Sequence, residues 1–237
     1  MKYSLFVMLI MFLALVACTE EKAIGPDLGY DFYPLQVGKY WIYQVDSIIY
    51  DDEGLKVDTV HLFFREEITD WRLNNIGDTA FVAERFESYD SVNWQIKEVF
   101  SLERTRTQAL RNENNLRFIK LIFPINRNER WDGNRFFDSS IEIPVAGENI
   151  QPFLYWEYRY TNVEKGIVTV QLADYEENVN IRQAEEKYAE GIGLTERTWV
   201  ILSTQCGGNG TLDCGDLPWA EKAERGFIIH QRLVAHN

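Results

Sequence analysis

From residue 30 to the C-terminus the chain alternates apolar and polar residues in short runs, and a period of two is the period of a strand. Trp41, Tyr43, Val45, Ser47 and Ile49 share one face of one run, and Val60, Leu62, Phe64 and Ile68 share one face of the next. Further runs cover 79–88, 94–105, 115–123, 155–163, 167–174, 180–188, 193–203 and 225–235. Turn residues punctuate them: Asp51-Asp52-Glu53-Gly54, Asn74-Asn75-Ile76-Gly77-Asp78, Arg111-Asn112-Glu113-Asn114-Asn115 and Glu164-Lys165-Gly166. No long apolar stripe of period 3.6 is present. The best helical candidate, Asn180 to Ala189, is rich in Ala and Glu but sparse in apolar positions. The order predicts a mainly β fold, an antiparallel meander forming one curved sheet, half-barrel or two-layer sandwich, because broad flat sheets are unusual. The segment 124–153, with Pro124, Trp131-Asp132-Gly133-Asn134, Pro144 and Pro152, reads as a long connection with no linker composition. Residues 30–237 are therefore expected to form a single β-rich domain.

What precedes that domain is targeting sequence. Met1-Lys2 opens a short positive start, and the apolar run from Leu5 to Leu15 follows. That run is about 11 residues, short of the roughly 20 that span a bilayer. It ends in Leu15-Val16-Ala17-Cys18, which resembles the bacterial lipoprotein signal. The resemblance implies cleavage after residue 17, acylation of Cys18, and a membrane anchor strong enough to hold, since several acyl chains bind where one is marginal. Residues 18–29, polar and broken by Gly25-Pro26 and Gly29, read as a lipid-anchored flexible tether. Thr19-Glu20-Glu21 resembles the acidic signal that sends some Bacteroidota lipoproteins to the cell surface; the alternative is a periplasmic tether. The expected location is the outer membrane, on its periplasmic face or at the cell surface.

The two remaining cysteines, Cys206 and Cys214, flank a Gly-rich stretch. An oxidising envelope permits a disulfide between them, and a metal site lacks a second pair of soft ligands nearby.

Three motifs resemble uncharacterised envelope lipoproteins of Bacteroidota. They are Phe32-Tyr33-Pro34-Leu35-Gln36-Val37-Gly38-Lys39-Tyr40-Trp41-Ile42-Tyr43, Phe123-Pro124 with Trp131-Asp132-Gly133-Asn134, and Tyr188-Ala189-Glu190-Gly191-Ile192-Gly193-Leu194. The resemblance implies an envelope β protein and carries over no catalytic residue. Physically, Gly38 ends a turn before a strand, Asp132-Gly133 marks a tight turn, and Gly191 and Gly193 indicate a bulge, a kink or close backbone approach. No Lys-Ser/Thr follows those glycines, as a phosphate loop would need.

Charge excludes one partner class. The chain holds 24 Lys plus Arg against 37 Asp plus Glu, a net −13, and phosphate backbones need clustered cations. The 3 histidines, His61, His230 and His236, form no zinc-binding spacing, and no Gly-x-Ser-x-Gly element occurs. Asp51-Asp52-Glu53 and Asp174-Tyr175-Glu176-Glu177 read as solvated turns, and Asp213-Cys214-Gly215-Asp216 departs from the EF-hand pattern. Trp71, Trp94, Trp156 and Trp219 are weighed as sugar platforms and read as core residues. No catalytic residue, metal or cofactor is implied.

The expected function is a non-enzymatic, lipid-anchored binding or scaffold module, with an envelope protein, glycan or lipid as ligand. A carrier of lipid or lipoprotein with an open half-barrel is the second reading, and a glycan hydrolase the third. Trp41, Tyr43, Phe64, Phe100, Trp156, Tyr158, Tyr160 and Trp199 are bulky enough to fill the concavity a carrier would leave open, so a filled core is predicted.

Overall fold

The computed structural model describes residues 27–51, 56–74, 77–205 and 216–237. Cys18, Cys206, Cys214, the signal segment and the Asp52-Glu53-Gly54 turn lie outside them. Twelve strands form one antiparallel sheet that curls into a nearly closed barrel.

The sheet is two meanders joined along their outermost strands. The first runs through β1 (Tyr40–Asp51), β2 (Lys56–Leu73), β3 (Thr79–Ser88), β4 (Gln95–Arg104), β5 (Gln108–Glu113) and β6 (Leu116–Ile122). A connection then carries β7 (Arg130–Trp131) and a separate hairpin of β8 (Ile143–Val145) and β9 (Glu148–Ile150). The second meander is β10 (Trp156–Glu164), β11 (Ile167–Glu176), β12 (Asn180–Ala189), β13 (Gly193–Ser203) and β14 (Arg225–His236). β14 pairs with β1, so the order is β6-β5-β4-β3-β2-β1-β14-β13-β12-β11-β10-β7. A single turn of helix, α1 (Trp219–Lys222), packs outside the sheet near Tyr50, Ile181 and Leu202.

Local chemistry sets the hairpins and the curl. β5–β6 and β10–β11 turn through two residues each, Asn114-Asn115 and Lys165-Gly166, all at positive φ. That backbone matches the twist of the flanking strands, and Asn and Gly tolerate it best. Register shifts interrupt several ladders, leaving Thr69, Lys97, Lys120 and Thr195 as extra residues. Each bulge sharpens the local twist, which is how a sheet this wide turns back on itself.

The sheet closes without a continuous ladder between β6 and β7. The Ile119 amide donates to the Gly133 carbonyl at 2.8 Å, and the Trp131 indole donates to the Ile119 carbonyl at 2.9 Å. The Tyr160 hydroxyl donates to the Ile122 carbonyl at 2.7 Å and accepts from its amide at 2.9 Å. Gly133 is glycine for a reason of space: a Cβ there would lie 2.3 Å from the Tyr158 ring.

The strand pattern read from the sequence holds, including 180–188, which is strand throughout. Several readings change. Asp174, Tyr175 and Glu176, read as part of a solvated turn, belong to β11, where they pair with β12. Arg111, Asn112 and Glu113, read as turn, belong to β5, and the turn is Asn114-Asn115 alone. The connection 124–153 carries β7 and the β8–β9 hairpin. Outward positions such as Arg65, Glu67, Glu185, Lys187 and Glu196 are charged and partly exposed, and the apolar cluster lies inside.

Candidate functional site

The barrel interior is not purely apolar. Trp41, Tyr43, Phe100, Trp156, Tyr158 and Tyr160 are buried there, and Phe64 and Trp199 pack against them half-buried. Among them lie four carboxylates and four cations. On β2, β3 and β4, Glu66, Arg85 and Glu98 stand directly opposite one another, and facing residues in an antiparallel sheet share a face. On β12, β13 and β14, Glu186, Arg197 and Gln231 do the same.

The first cluster is knitted by two guanidinium groups. Arg111 on β5 grips both oxygens of Glu66, at 3.0 and 2.8 Å, and its Nε donates to Glu113 at 2.8 Å. Arg85 donates to Glu66 from Nε at 2.9 Å, to Glu113 at 3.2 Å, and to Glu98. In the second cluster Lys120 reaches Glu186 at 2.8 Å and Arg197 donates to the same carboxylate at 2.8 Å. The Tyr188 hydroxyl adds a third donor at 2.6 Å. Lys120 is the bulged residue of β6, and the bulge leaves it free to turn inward.

These contacts decide the protonation states. Burial alone would raise Glu66, but Arg111 and Arg85 overcome it and hold the carboxyl at about 2. Glu186 is also held at about 2, where Lys120 and Arg197 outweigh burial. Glu113 is drawn below the ordinary carboxylate range against its burial by Arg111 and Arg85. Glu98 moves the other way, because burial exceeds the pull of Arg85. Burial lowers Lys120 against the attraction of Glu186. Burial raises Tyr33, Tyr43 and Tyr188 and keeps them protonated.

Between the clusters remains about 30 Å³ of room for water, space for one or two molecules. Tyr33, Pro34, Leu35, Trp41 and Tyr43 of the first sequence motif line it, as do Tyr188, Gly193 and Leu194 of the last. Gly191 and Gly193 are both at positive φ, and a Cβ on Gly193 would stand 3.4 Å from Pro34. The Trp41 indole donates to the Ile192 carbonyl at 2.5 Å and the Tyr43 hydroxyl to that of Leu194 at 3.0 Å. The middle motif supplies Trp131 and Gly133 to the seam, and Asn134 accepts from the Tyr158 hydroxyl at 2.9 Å. All three motifs are therefore structural: two cap one end of the barrel and the third closes its side.

The sequence reading missed this network. Its signal was the alternation itself, since Glu66 falls in step between Phe64 and Ile68 on a face read as apolar. The histidines do not join it: His61 is largely exposed and pairs with Asp46 at 2.6 Å, and His230 lies across the same outward row. Among the described residues no group of three or more His, Cys, Asp or Glu could hold a metal ion. Of the four tryptophans read as core residues only Trp156 is buried; Trp94 and Trp219 are half-buried, and Trp71, in β2 beyond the Thr69 bulge, is exposed.

A second polar space lies at the other end of the barrel. It is about 300 Å³ in volume, open to solvent, and set between the β8–β9 hairpin and the adjoining ends of β12, β13 and β14. Arg182 lines it.

No family model and no curated sequence matches the chain. Two solved structures are similar at a low level. One is described as an exported protein with a YmcC-like fold from Bacteroides fragilis, at 9% identity and a TM-score of 0.36. The other is described as a lipoprotein from Parabacteroides distasonis, at 9% identity and 0.38. Each comparison covers 87% of this chain and 98% of the other. Likeness at this level transfers neither fold nor activity.

Proposed function

We propose that the chain is a non-enzymatic envelope protein of the Bacteroidota lipoprotein type, anchored through acylated Cys18 at the outer membrane. Its barrel serves as a binding or scaffold module that works from its rims and outer surface. The observation that carries this reading is the packing of buried aromatic and ion-paired side chains around a small space between the two clusters. A carrier of acyl chains needs an apolar cavity of roughly 300–1,000 Å³, whereas the space between the two ion clusters, among aromatic and ion-paired side chains, is about 30 Å³. Glu66, Glu113 and Glu186 are held ionised by Arg and Lys partners, which leaves them poor proton donors or acceptors at neutral pH. The anchor rests on the Leu15-Val16-Ala17-Cys18 element.

The test has two arms. The chain lacking residues 1–18, purified without detergent, is weighed by native mass spectrometry and should carry no lipid. A stoichiometric lipid would return the carrier reading. In the second arm, full-length protein should sediment with membranes, and Cys18→Ala should not. Sedimentation of that variant without acyl mass would refute the anchor.

A further inference from the structure

We infer that the cleft beside the β8–β9 hairpin binds a carboxylated saccharide, a uronic acid unit, with Arg182 receiving the carboxylate. The inference deepens the binding-module reading and rests on it, by placing the ligand outside the barrel core.

The argument begins with an imbalance of charge. Arg85, Arg111, Lys120 and Arg197 are buried and each contacts a carboxylate. Arg182 is only 5% exposed, yet among the described residues it contacts none. Its Nη1 donates to the Ile181 and Leu202 carbonyls, both at 2.8 Å. Among the described residues its Nη2 meets the Ser203 hydroxyl, at 3.5 Å, and its buried Nε meets no partner. The Nε–Nη2 edge is the side on which a guanidinium takes a carboxylate with two parallel bonds. Burying a cation without its counter-charge is costly, and an anionic ligand supplies the carboxylate that no described residue brings to Arg182.

The surroundings select the rest of the ligand. Asn149, Gln151, Asn180, Ser203 and Thr204 line the cleft with amides and hydroxyls, groups suited to sugar hydroxyls. Two further charged side chains line it: Glu142, and Arg225, which pairs with Glu148 at 3.6 Å. A carboxylated saccharide sets its hydroxyls against these amides and hydroxyls while its carboxylate meets the arginine. The volume of about 300 Å³ sits at the lower end of the range for small-molecule sites.

The experiment titrates the soluble chain lacking residues 1–18 with trigalacturonate, inorganic phosphate and the neutral sugar maltotriose, followed by calorimetry. Trigalacturonate should bind saturably and maltotriose at least about tenfold more weakly. Arg182→Lys, which keeps charge but loses the fork, should weaken trigalacturonate about tenfold or more. Asn149→Ala, at an exposed position lining the cleft, should weaken trigalacturonate and leave any phosphate binding unchanged. Absence of trigalacturonate binding, equal affinity for maltotriose, or phosphate binding as tight as trigalacturonate would each overturn the inference. None of these results bears on the filled barrel or the anchor, which the lipid and fractionation measurements address separately.

Discussion

Replacing Glu186 with Gln isolates the energetics of the interior network. The Glu186 side chain is fully buried and balances two cations, Lys120 at 2.7 Å and Arg197 at 2.8 Å. The amide keeps the shape and removes the charge, so both cations lose their nearest counter-ion. Breaking a buried pair in this way costs about 3–5 kcal/mol. The acid itself gives a second measure. A carboxyl that titrates at about 2 in the fold and at 4.5 in its ordinary state contributes about 3 kcal/mol at neutral pH. Because its pKa is lowered by folding, that contribution is complete above pH 4.5 and disappears as the pH falls towards 2. About 2 kcal/mol of it is gone at pH 3. Urea unfolding should therefore show Glu186→Gln less stable than wild type by about 3–5 kcal/mol at pH 7, with an unchanged slope. At pH 3 the gap should shrink by about 2 kcal/mol. The melting temperature should drop by about 6–20 °C at neutral pH. A loss under 1 kcal/mol at pH 7, or a gap that does not narrow in acid, would show that the ion network does not act as described.

Two further substitutions probe the closure and the backbone. Tyr160→Phe removes both bonds to Ile122 at the β6 seam and should cost about 1–3 kcal/mol; the Ile122 amide should exchange with solvent faster, and unchanged exchange would mean that the seam is held elsewhere. Gly226→Ala puts a Cβ 2.0 Å from the Ile201 carbonyl oxygen at a φ of 112°, and a loss of about 3 kcal/mol or more is expected in the urea midpoint. A near-neutral result there would refute the close β13–β14 approach.

The sequence alone determined the class and the elements, because strand formation is written locally. Alternation puts every second side chain on one face, and turn residues such as Lys165-Gly166 tolerate φ values that few others do. The runs 79–88 and 193–203 coincide with β3 and β13 for that reason. The short β5 escaped because Arg111 and Glu113 look like solvent residues when read singly. Only the tertiary structure gives them a place, since the groups that neutralise them come from distant strands: Glu66 is 45 residues from Arg111, and Glu186 is 66 from Lys120. Closure is likewise tertiary. The sequence left half-barrel and sandwich open, and the choice rests on bulges and on contacts between Ile119, Gly133, Ile122 and Tyr160 that no local pattern announces. Arg182 shows the same limit. Its neighbours in sequence mark a strand, and only the packed barrel reveals a buried arginine with no carboxylate beside it among the described residues. Local rules fix which face a side chain takes, whereas the charge it meets there depends on which strands the fold brings together.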